Sequence, residues 1–113
     1  MKDWYKSLEK RYTTFPKDIQ VLNMVSDLQK AANLKSVNSE LMRNHLYRAT
    51  ILLDYIINDP KWRNALGELL RLREVICSVI EGIDYAPLEQ VIRAAVLLDS
   101  SAYKRIKGIQ VTI

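Results

Sequence analysis

Apolar residues recur at intervals of three and four along most of this chain, and almost nowhere at intervals of two. That spacing places them on one side of successive helices and predicts an all-α protein. The first segment, about residues 2 to 12, gathers Trp4, Tyr5, Leu8 and Tyr12 on one side before a turn at Thr13, Thr14, Phe15 and Pro16. A second helix is expected from about Pro16 to Ala32, with Val21, Met24, Val25, Leu28, Ala31 and Ala32 as its stripe and Asn33 as its stop. After the polar link LKSVNS, a third runs from about Ser39 to Ile57 and turns Leu41, Met42, His45, Leu46, Ala49, Leu52, Leu53 and Ile56 inward.

Asp59 and Pro60 suit the cap and first residue of a fourth helix, and Gly82 suits its end. A fifth helix is expected from about Tyr85 to Leu98 and a short sixth from about Ser101 to Lys107. The tail IQVTI is apolar and largely β-branched, so it either docks as an extended strand or finds a partner. The expected architecture is one compact bundle of five to six helices spanning residues 1–113.

Sliding the chain by 45 residues aligns Arg48-Ala49-Thr50-Ile51-Leu52-Leu53-Asp54 with Arg93-Ala94-Ala95-Val96-Leu97-Leu98-Asp99. A duplicated helical hairpin would produce this, and so would coincidence among Leu- and Ala-rich helices.

The fourth helix raises a specific question. If it is continuous from Trp62, then at about 100° per residue Leu69, Ile76, Ile80 and Leu66 cluster around Trp62 and Arg73 falls among them, about 20° away. Its apolar arc then spans about 220°, which predicts a central helix. An unpaired buried guanidinium is costly, so Arg73 must find a carboxylate, snorkel to water or reach a seam between chains. Asp54 and Asp99, equivalent in the aligned segments, are the carboxylates to test. If the pair is internal, Arg73→Met should cost about 3 to 5 kcal/mol, as when one member of a buried pair is removed.

Composition narrows the function classes. The 113 residues are 49% hydrophobic and 27% charged, enough for a single core without disulfides or metal. A lone cysteine, Cys77, and the absence of an apolar leader in MKDWYKSLEK lead us to expect a cytoplasmic protein. Cys77 itself reads as a small, shielded hydrophobe beside Leu70, Ile76 and Ile80. His45 is the only histidine and the three glycines are scattered, so the sequence offers neither a multi-histidine metal site nor a phosphate-binding glycine loop. We therefore expect no catalysis, no cofactor and no bound metal.

What remains is binding. Helices 61 to 80 and 85 to 98 both carry more apolar surface than one core needs, which predicts self-association through one of those faces. Net charge is +4, and basic residues collect at the two ends of the chain: Lys2, Lys6, Lys10 and Arg11 among aromatics, and Lys104, Arg105 and Lys107 beside Tyr103. Such groups could follow a phosphate backbone, making a nucleic-acid accessory subunit the alternative reading. No run is long enough to span a membrane.

Overall fold

The computed structural model describes residues 2–82 and 87–104, with side chains from Ser7 onward. Helices α1 (Lys2–Tyr12), α2 (Lys17–Leu34), α3 (Ser39–Asn58), α4 (Leu66–Ile80) and α5 (Leu88–Val96) follow one another, and residues 100–104 are again helical. A six-residue 3-10 helix, Pro60–Ala65, separates α3 from α4. The described residues contain no strand. The tail IQVTI, the expected start of the fifth helix, Arg105 and Lys107 lie outside the described residues.

Each boundary has a local cause. The hydroxyls of Thr13 and Thr14 donate back to the carbonyls of Lys10 and Arg11, and the chain leaves α1 there. Helix α2 continues through Asn33, contrary to the expected stop, and ends at Leu34, where the Lys35 amide donates to the Ala32 carbonyl and the amides of Val37 and Asn38 donate to that of Leu34. Asn38 caps α3 by accepting from the Leu41 amide at 3.1 Å. Asp59 caps the 3-10 helix by accepting from the Lys61 amide at 3.1 Å. Gly82, at φ 82°, takes the left-handed conformation just past α4.

The centre of the bundle is α3, not α4. Its residues Leu46, Ala49, Leu53 and Ile56 are buried against α2 and α4, while Tyr55 on another side is buried and its ring stands 6.1 Å from that of Tyr12. Helices α2 and α3 share the largest interface, through Val21, Met24, Val25, Leu28 and Ala31 on the α2 side. Helix α5 lies mainly on α2, burying Leu88, Val91, Ala95 and Val96.

The aligned segments of the 45-residue comparison have different fates. Asp54 lies inside a helix that continues to Asn58, whereas the second copy breaks into a turn at Leu97 and Leu98. There Asp99 accepts from the Ala102 amide at 3.1 Å and caps residues 100–104.

Two polar clusters are folded into this frame. Gln20 is fully buried and uses both ends of its amide. Its Nε2 donates to the Tyr12 carbonyl at 3.0 Å and to Asp59 Oδ2 at 3.1 Å, while its Oε1 accepts from Trp62 Nε1 at 2.7 Å. The Tyr12 hydroxyl donates to the Gln20 carbonyl. Lys61 closes the same end, donating to the carbonyls of Thr13 and Phe15. One buried amide thus joins the α1–α2 turn to the α3–α4 connection. The second cluster is Asp27, buried on α2, with His45 Nδ1 at 3.2 Å and Arg48 Nε at 3.6 Å. His45 therefore faces α2 as a carboxylate partner, at the edge of the core.

Candidate interaction surface

Arg73 stands on the shoulder of α4 rather than in its apolar face. The 3-10 helix advances about 120° per residue, so by Leu66 the phase has slipped about 80° from that of a continuous α-helix begun at Trp62. Counted within α4, the buried residues Leu69, Leu72 and Ile76 form an arc whose centre lies about 70° from Arg73. Leu66, Leu70 and Cys77 follow Arg73 toward solvent. Leu70 is 49% exposed and Leu66 40%, the reverse of the inward placement expected for them.

From that shoulder Arg73 reaches α3. Its Nε donates to Asp54 Oδ1 at 2.6 Å, and both side chains are close to 40% exposed. The pair is internal, as one of the expectations had it, but it is not buried. Asp99 takes no part, since its carboxylate is committed to the helix cap described above. The Arg73 guanidinium also lies over Cys77, with Nη1 3.9 Å from Sγ. Cys77 is half-buried and not enclosed as expected, because it lies on the same solvent-facing side of α4 as Leu70. The carboxylate of Asp54, by hydrogen bond and charge, raises the already high pKa of Arg73, which stays a cation throughout.

This ion pair lies within a partly apolar face. Tyr47, seven residues before Asp54 and so on the same side of α3 two turns earlier, is 53% exposed. Leu66 and Leu70 flank Arg73 on α4. The pair is also only partly used: among the described residues, Nε alone of the guanidinium's five N–H groups meets a carboxylate.

On the next side of α4, its divergence from α5 leaves a groove of about 370 Å³. Leu72, Val75, Val91 and Leu98 line it, with Glu68 and Arg71 among its polar residues.

Of the basic residues singled out from the sequence, the described side chains are those of Lys10, Arg11 and Lys104. Lys10 and Arg11 are exposed in the last turn of α1, and Lys104 is exposed at the end of the helical residues 100–104. The side chains of Lys2 and Lys6 lie outside the described residues. Among those described, no group of three or more His, Cys, Asp or Glu is placed to hold a metal ion, and no helix is long and apolar enough to cross a membrane.

Gln20 and Asp27 are the polar residues that periodicity alone had passed over. Gln20, Met24, Asp27 and Ala31 follow at four, three and four, so the apolar stripe of α2 already carried them to its buried side.

Compared with protein-family models, with curated proteins and with solved structures, the chain finds no match.

Proposed function

We propose that this protein acts by association and not by catalysis, and that it pairs with a second copy of itself through the outer face of α3 and α4. The observation that carries the reading is the half-used ion pair between Arg73 and Asp54, flanked by exposed Leu66, Leu70 and Tyr47. A two-fold axis brings a surface against its own image, so a patch suits such contact when its features complement themselves. Adjacent opposite charges do so: Arg73 of one copy can face Asp54 of the other while each keeps its internal bond. The exposed leucines and tyrosine supply the apolar ring around that centre, where arginine and aromatic residues are favoured.

The α4–α5 groove suits this purpose less well. A two-fold contact would set groove against groove, and neither would be filled. A standard interface removes about 800 Å² from each partner, roughly a tenth of this molecule's 7541 Å² surface.

Molar mass by light scattering at tens of micromolar tests the proposal. We expect the mass of a dimer, and a monomer after Leu70→Glu, which places a carboxylate in the exposed apolar ring without touching the core. A monomeric mass for the unaltered protein, or a dimer indifferent to Leu70→Glu, would overturn it.

A further inference from the structure

A second concavity, of about 250 Å³, opens on the far side of α3 where α1, α2 and α3 meet. Arg48 and Leu52 line it from α3, more than about 100° around that helix from Asp54. It is therefore separate from the face proposed for self-association, and nothing in the following depends on that face.

Three cations from three different helices border this depression: Arg11 of α1, Lys30 of α2 and Arg48 of α3. One acid, Asp27, lies in it, and its charge is already engaged by Arg48 and His45. Among the described residues neither Arg11 nor Lys30 meets a carboxylate. Ser26 and Asn23, one turn apart on α2, add neutral hydrogen-bonding groups to the wall, and Phe15 and Leu52 add an apolar one. The excess of positive charge thus faces a hollow and is not spread over a convex solvated surface. A concave wall with convergent charge focuses the field on a small anion.

From this arrangement we infer a binding site for a phosphate group, held by Arg11, Lys30 and Arg48 with Ser26 and Asn23 as further donors. Guanidinium groups suit phosphate because their planar fork can bond two oxygens at once, and Lys30 supplies a third charge from another direction. Phe15 and Leu52 leave room for the apolar body of an organic phosphate beside its charged end. The group can come from a free organic phosphate or from the backbone of a single-stranded nucleic acid, two sources with the same chemistry.

The test is thermal unfolding of the full chain with pyrophosphate, adenosine monophosphate or a fifteen-nucleotide oligothymidylate, each matched in ionic strength by chloride. A ligand of the folded state raises the midpoint with its concentration. We expect at least one probe to do so beyond its chloride control. The double variant Arg11→Gln, Lys30→Gln should bind it about tenfold or more weakly, since charge-assisted bonds to phosphate are lost. That variant leaves both partners of Asp27 intact, so it should fold as the parent does, which circular dichroism checks. A response to the monophosphate assigns the site to free organic phosphates, and a response to the oligonucleotide alone assigns it to a nucleic-acid backbone. No probe exceeding its chloride control, or equal binding by the double variant, would overturn the site.

Discussion

Asp54 and Asp59 are five residues apart, and their surroundings make them unequal. Asp54 shares a half-exposed bond with Arg73, and ion pairs open to water contribute about 0 to 1 kcal/mol. Arg73→Met should therefore cost the monomer under about 1 kcal/mol, far below the 3 to 5 kcal/mol of a buried pair, as denaturant unfolding below the association range will read. Asp59 is buried and bonds Gln20, the Lys61 amide and the Lys61 ammonium. Burial alone would raise its pKa; the bond from Gln20 and the amide and charge of Lys61 outweigh it and hold the carboxyl below its usual range. Removing the side chain strands a donor of a fully buried amide and uncaps the 3-10 helix, so Asp59→Ala should cost about 2 to 3 kcal/mol. A depressed pKa contributes stability above the unfolded value, near about 4, and loses it as pH falls through the folded value. Urea midpoints from neutral to acid pH should accordingly fall less steeply below about pH 4 in Asp59→Asn, which cannot titrate. Parallel profiles would remove Asp59 from the acid response.

At the scale of the element, the end of α4 isolates a backbone effect. Gly82 has φ 82°, and a Cβ built there meets nothing within 4 Å. Gly82→Ala should then cost about 1 kcal/mol through conformation alone, with no steric addition. A loss well above this in calorimetry would mean that the turn does more than end the helix. Caps and breakers such as Asp59 and Gly82 were legible in the sequence because each acts within three or four residues. The face of α4 was not, because a wheel carries its phase only through regular helix, and the 3-10 segment from Pro60 to Ala65 resets it. That slip turned Leu66 and Leu70 outward and set Arg73 on the shoulder. The choice between Asp54 and Asp99 was equally closed to periodicity, since Asp99 is claimed by its own neighbour, the Ala102 amide. Gln20 and Asp27 had the right period to be recognised as buried; a stripe read only for apolar residues passes over them.

For the whole molecule, the burial pattern orders stability. Helices α2 and α3 enclose Met24, Leu28, Leu46 and Leu53, none of them exposed, and the Gln20 cluster ties the pair to the 3-10 helix. Helix α5 has nine residues, no side-chain cap at Pro87, and a groove where α4 diverges from it. Opening α5 alone would expose Leu88, Val91 and Ala95 and leave the α2–α3 interior closed, whereas no opening of α2 or α3 spares the rest. Native-state hydrogen exchange should therefore give the amides of Met24 to Leu28 and Leu46 to Ile56 the free energy of global unfolding. Those of Val91 to Val96 should exchange through a smaller opening, at lower free energy. Leu53→Ala, at the centre, should lower the slow class and the global midpoint together by about 2 to 5 kcal/mol. Val91→Ala should lower chiefly the α5 class, by about 1 to 3 kcal/mol if that helix opens on its own. Equal protection in α3 and α5, or a Val91→Ala effect transmitted fully to α3, would show a single cooperative unit and remove the distinction between an α2–α3 centre and an applied α5.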